Sequence, residues 1–168
     1  MNRKKYPFAV TVGLALPLLL AGCTDPAVTD TMKAIDSIGT VTVESKDAID
    51  AANEKYDSLD KDLKKEVDNY SDLKSANKRY DQLLYSEISK EISHSQEILG
   101  SYFAQQFDTK EIEAAKSDAQ AALDASDTDG YYKVYKALKK ADKELDSFIK
   151  AEEEKSYSME TYGGDTPF

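Results

Sequence analysis

Apolar side chains recur at every third or fourth position through most of this chain, and Lys, Asp, Glu and Ser fill the intervals. That period gathers one buried face on an amphipathic helix. The first stripe is Met32, Ile35 and Ile38, with Asp30 placed to cap it and Gly39 placed to end it in left-handed backbone. Thr40-Val41-Thr42-Val43 is a β-branched alternation too short and isolated for a sheet, and it predicts an extended connector with its valines under the helices. Ser45 then caps a second helix whose face is Ile49, Ala52, Tyr56 and Leu59. Leu63 and Val67 predict a short further turn before Asn69-Tyr70.

The longest pattern follows. Ser71 is placed to cap a helix with the stripe Leu73, Ala76, Tyr80, Leu83, Leu84, Ile88, Ile92, Leu99, Phe103 and Phe107, and no glycine or proline interrupts it before Gly100. It predicts a run of about 30 residues, long enough to serve two sets of partners. Asp108-Thr109 is placed to cap a helix over 110–125 with Ile112, Ala115, Ala119 and Leu123 on one side, a thin face that permits close approach. Asp127-Thr128-Asp129-Gly130 reads as a turn. Tyr131 opens a last helix with Tyr135, Leu138, Ala141 or Asp142, Leu145, Phe148 and Ile149. The period stops at Ser156, so 156–168 reads as a flexible tail. The expected fold is all-α: a small helical bundle, or two stacked helical hairpins sharing the long helix around 72–107.

The N-terminus breaks this pattern. Arg3, Lys4 and Lys5 precede thirteen apolar residues, Phe8–Leu20, fewer than the ~20 that cross a bilayer core. A basic flank, a short apolar run and small residues at its end make residues 1–22 a secretory signal peptide. The sequence then reads Leu20-Ala21-Gly22-Cys23, with the only cysteine of the chain at its end. Alternatives for a lone cysteine after a signal are a free thiol or an intermolecular disulfide. The four residues resemble the lipobox of bacterial lipoproteins. That resemblance implies a diacylglyceryl group on the Cys23 thiol, cleavage before Cys23, and a protein held by lipid on the extracytoplasmic face of the cell membrane. One acyl chain anchors marginally, at about 0.8 kcal/mol per buried methylene, whereas two suffice. Residues 23–29 read as the lipidated tether, which spans at most ~20 Å.

A second resemblance lies in Ile35-Asp36-Ser37-Ile38-Gly39-Thr40-Val41-Thr42, followed by Ser45, Ile49, Ala52, Tyr56, Leu59, Lys64, Val67, Asn69-Tyr70, Leu73, Ala76, Tyr80 and Leu83. Over about residues 32–84 this is similar to a small helical repeat module of Gram-positive surface proteins. Such modules are spacers or interaction scaffolds, and the resemblance brings no catalytic residues. They commonly occur in tandem, whereas this chain has one clear copy. The organisation expected is an N-terminal helical module over 30–84 and a C-terminal helical hairpin region over 85–155.

Charge narrows the partners. Without residues 1–22 the chain keeps 19 basic against 32 acidic side chains, a formal charge near −13. Phosphate neutralisation needs clustered Lys and Arg, so nucleic acid is not an expected partner. The expected partners are the membrane, through lipid on Cys23, and a protein or cell-wall component.

Candidate chemistry is sparse. Placing Gly130 at the sixth position of a calcium loop puts Ala125 at the first and Lys136 at the twelfth, where carboxylates are needed, so 124–130 reads as a polar turn. His94 is the only histidine and reads as solvent-facing. Asp60 and Asp62, Asp142 and Asp146, and Glu152–Glu154 read as solvated helix surface beside lysines such as Lys139 and Lys143. No phosphate-binding glycine loop is present, and no motif implies a cofactor, a metal or catalysis. Tyrosine is the least ordinary component, at eleven residues. Tyr56, Tyr80 and Tyr135 fit core stripes, while Tyr85, Tyr131 and Tyr132 fall off the main stripes or at a helix start and are candidates for an interaction surface. These features lead to a non-enzymatic structural or interaction module. The alternative is a small-ligand-binding lipoprotein with a pocket near Tyr102, Phe103 and Phe107.

Overall fold

The computed structural model describes residues 25–162. They form five helices: α1 (Pro26–Ser37), α2 (Lys46–Ser58), α3 (Tyr70–Leu99), α4 (Lys110–Ala125) and α5 (Thr128–Tyr162). Short 3-10 turns at Val43–Ser45, Leu63–Glu66 and Phe103–Gln106 link them, and no strand occurs among the described residues. The fold is an all-α bundle.

The first helix begins earlier than its apolar stripe suggests. The Asp25 carboxylate accepts the Ala27 N–H at 2.8 Å, and Pro26 supplies the preset φ of a first helical residue. Residues 26–29 are therefore helix rather than tether, and Asp30 sits inside α1 facing Lys33 instead of capping it. Gly39 takes the left-handed conformation expected of it, with φ 58°.

Ser45 precedes α2, but its hydroxyl turns back to accept the Thr42 N–H at 2.9 Å, closing a capping box around the 3-10 turn. α3 starts at Tyr70 behind Asn69, two residues before the expected helix interior, so Ser71 lies in its first turn. The Asn69 amide donates to the Met32 carbonyl at 3.0 Å and to Asp36 at 2.7 Å, stitching the entrance of α3 to α1. α3 ends at Leu99 with Gly100 as its cap, so Phe103 and Phe107 lie beyond it.

α2 runs antiparallel to the first half of α3. Tyr56 stacks on Tyr70 with ring centroids 4.0 Å apart, and the Tyr80 hydroxyl donates to the Val43 carbonyl at 3.2 Å. α4 and α5 flank the second half of α3, with α4 antiparallel to both. Tyr85 lies beside Tyr131 and Ser95 beside Asp142, so α3 and α5 run parallel. The architecture is thus two helical hairpins sharing the long α3.

One core runs through both hairpins, from Val28, Ile35, Ile49 and Leu59 to Leu84, Ile88, Leu123, Tyr135 and Leu138. A smaller second core at the far end holds Ala104, Ile112, Ala141 and Leu145, with Phe107 and Phe148 packed against it. Each fully buried leucine, such as Leu138 or Leu145, contributes about 2–3 kcal/mol by leaving water.

The α4–α5 corner is tighter than a glycine turn. Ser126, not Gly130, is the left-handed residue, with φ 54°. Its N–H reaches the Leu123 carbonyl at 3.1 Å and the Asp127 N–H reaches Ala122 at 3.0 Å, the paired bonds of a Schellman motif. Asp127 then caps α5 by accepting the Gly130 N–H at 3.3 Å. α5 continues without a break through Ser156 to Tyr162, so the first seven residues read as tail are helical.

Candidate functional site

The signal peptide over 1–22 and Cys23 lie outside the described residues. In sequence a single residue, Thr24, separates Cys23 from the Asp25 cap of α1.

The three candidate surface tyrosines separate. Tyr85 on α3 is 51% exposed. Tyr131 is 3% exposed, because α5 begins at Thr128 and so places Tyr131 on the stripe of Tyr135 and Leu138. Burial raises its hydroxyl pKa, helped by Tyr85 and the Asp81 and Asp127 carboxylates. Tyr131 is therefore a core residue and not part of an exposed patch. Tyr132 is half-buried, with the Lys136 ammonium 5.4 Å and the Lys46 ammonium 6.0 Å from its ring. Among the described residues the most exposed rings lie elsewhere: Tyr102 at 73% and Tyr157 at 76%.

The expected pocket near Tyr102, Phe103 and Phe107 does not form around all three. Phe107 packs on Phe148 at 5.2 Å in the second core. Phe103 instead borders a depression of about 510 Å³ with Lys150, Glu153, Glu154, Ser156 and Tyr157.

The most built feature is the seam between α3 and α5, and it contains residues read from sequence as solvated surface. A groove of about 520 Å³ runs along it. Its α3 wall carries Glu87, Lys90, Glu91 and His94; its α5 wall carries Lys139, Asp142, Lys143, Asp146, Ser147 and Lys150. Asp142 is not surface: it is 2% exposed. It follows Leu138 by four residues and precedes Leu145 by three, which fixes it on the buried stripe. His94 keeps 42% of its side chain in solvent, and its Nε2 faces the Asp146 carboxylate at 3.3 Å.

Ser95 is fully buried, and its Oγ lies 2.7 Å from Asp142 Oδ1 and 2.8 Å from the Glu91 carbonyl. Asp142 Oδ2 is shielded from water and has no donor. The Glu91 carboxyl faces Asp142, and the Lys139 ammonium approaches Glu91 Oε1 at 3.4 Å while donating to the Tyr135 hydroxyl at 2.9 Å. Burial pushes the Asp142 carboxyl up to about 6; the Ser95 bond opposes the rise and Glu91 adds to it. The Ser95 hydroxyl is sealed against Asp142 and the His94 ring is turned to Asp146, so the adjacent serine and histidine do not form a nucleophile–base pair.

Three of the other carboxylates make local contacts. Asp62 pairs with Lys65 at 2.7 Å, Asp124 accepts from Gln120 at 2.8 Å, and Glu152 pairs with Lys155. Among the described residues no three His, Cys, Asp or Glu side chains are grouped to hold a metal ion. No described helix is long and apolar enough to cross a membrane.

Fold and seam define the class: a five-helix all-α bundle with a polar groove between two parallel helices. No protein-family model matches the chain, and neither a curated protein nor a solved structure does.

Proposed function

We propose that this chain is a lipid-anchored extracytoplasmic protein, acting as a non-enzymatic structural or interaction module at the bacterial cell surface. The observation that carries the reading is Leu20-Ala21-Gly22-Cys23 directly ahead of the Asp25 helix cap. With two residues, Thr24 and Asp25, between the lipidated cysteine and α1, the bundle sits against the bilayer surface rather than on a stalk. The similarity of residues 32–84 to surface-protein modules supports a scaffold role, as does an acidic helical exterior with exposed Tyr85, Tyr102 and Tyr157.

Metabolic labelling with an alkyne fatty acid tests the anchor. The wild-type chain takes up label and partitions with membranes, and Cys23→Ser does neither. Label and membrane retention that survive Cys23→Ser would remove the reading. Capture from intact cells, purified wall and host matrix tests the partner, and empty captures from all three count against an interaction role.

The α3–α5 groove favours one second reading, a small-ligand-binding lipoprotein. A metabolite or peptide that raises the melting temperature, and loses that effect in Lys143→Ala, would support it.

A further inference from the structure

The α3–α5 seam has more acceptors than protons. Ser95 has one hydroxyl hydrogen and two acceptors within reach, the Glu91 carbonyl at 2.8 Å and Asp142 Oδ1 at 2.7 Å. If that hydrogen goes to the carbonyl, Asp142 Oδ1 meets an oxygen lone pair. If it goes to Asp142, Oδ2 still lies buried without a donor, facing the Glu91 carboxyl. A buried acceptor left in this state costs about 1–3 kcal/mol, and more when it carries charge.

One additional proton at Asp142 gives the seam a second donor, and a proton fits better than a metal ion. Oδ2 is closed to water, so a hydrated cation has no way to it, and the described residues supply no third ligand for one. A proton taken from solvent onto the Asp142 carboxyl lets the acid donate to Glu91 or Ser95 and removes one of two facing negative charges. We propose that Asp142 and Glu91 together hold one exchangeable proton, and that its uptake draws α3 and α5 together along the groove.

The charged surroundings are mixed: Glu91 favours the proton on Asp142 and His94 opposes it. From α3, Glu87, Lys90 and His94 face the groove beside Glu91; from α5, Lys139, Lys143, Asp146 and Lys150 do so. α4 meets this stretch with its charges engaged elsewhere, Glu111 on Lys140 and Lys116 on Gln96. Lys139 lies on Glu91 rather than on Asp142, so no ammonium satisfies Oδ2. Burial raises the Asp142 carboxyl to about 6, so the clasp opens and closes in the mildly acidic range that an extracytoplasmic surface meets.

Two measurements on the full chain test this. Carbon-13 titration of the Asp142 side chain, assigned against Asp142→Asn, should give a midpoint near pH 6. Glu91→Gln should lower it by about one unit or more, a tenfold loss of proton affinity. Amide protection over 139–147, corrected for intrinsic exchange, should rise about fourfold between about pH 7.5 and about pH 5.5, and stay level in Asp142→Asn. An Asp142 midpoint below about 4.5, one unmoved by Glu91→Gln, or wild-type protection equal at both pH values would overturn the clasp. Saturable movement of the Asp142 signal with calcium at neutral pH would assign the site to a metal ion and also overturn it. Should Asp142→Asn fail to fold, the wild-type titration and Glu91→Gln decide alone.

Discussion

Asn53 on α2 and Asn77 on α3 exchange two hydrogen bonds, each amide donating to the other's oxygen at 3.0 and 3.1 Å. The pair closes like a small two-pronged clamp across the first hairpin, and Asn77 also donates to the Leu73 carbonyl at 2.9 Å. Neither residue is apolar, so the apolar periodicity passes over both.

Asn77→Ala should cost about 1–2 kcal/mol, because it strands a partly buried Asn53 amide. In a double-mutant cycle with Asn53→Ala, the coupling should be about 1 kcal/mol, read from urea unfolding midpoints. Strictly additive single variants would mean the clamp holds nothing.

Tyr131 and Tyr85 should behave oppositely although their rings are 6.4 Å apart. Tyr131→Ala should cost about 3 kcal/mol through the cavity it leaves in the core. Tyr85→Ala should stay within about 1 kcal/mol, since half of its surface is already in water. Equal losses would put Tyr85 into the core and remove it as an interaction residue.

Ser126→Gly should stabilise the chain by about 0.5–1 kcal/mol. The left-handed conformation is strained for any residue with a Cβ, and the Schellman bonds use only backbone atoms. A melting temperature unchanged or lowered would show that the serine side chain contributes to the corner.

Asp142 gives the stability a pH dependence of definite sign. Its folded pKa, about 6, stands above the 3.8 of an unperturbed aspartate, so the folded chain binds the proton more tightly than the unfolded chain. The stabilising proton is fully in place below pH 4 and its contribution falls as pH rises to about 6, flat thereafter. The loss should reach about 2–3 kcal/mol. It is read as the difference between wild type and Asp142→Asn in denaturant midpoints across that window, which cancels the general repulsion of an acidic surface. A difference that grows with pH instead would reverse the sign and sink the argument.

The helices were readable because each buries one face, and a 3.6-residue period needs no knowledge of the partner. Their ends depended on particular side chains. Asp25-Pro26 is itself a helix-start signal, but the apolar stripe of α1 begins later and drew the boundary to Asp30. Ser45 and Ser71 have capping chemistry, yet Ser45 spends its hydroxyl on Thr42 and Asn69 occupies the start of α3. The seam was out of reach for another reason. Asp142 has lysines near it in sequence, which is the mark of a solvated face. The residues that make it internal, Glu91 and Ser95, are about fifty positions earlier. The stripe of Leu138 and Leu145 admits Asp142 as the alternative to Ala141, but its charge also sets it among the solvated carboxylates.

The unequal cores divide the molecule by rigidity. α3 and α5 both leave the large core, with its eighteen buried residues, and enter one with four. Amides around Leu73–Ile88 should be released to solvent only when the whole chain comes apart, while those beyond Leu145 open by themselves. A pull applied at the far end of α5 would therefore peel off the small core first and leave the rest standing, so the bundle yields in stages to mechanical load.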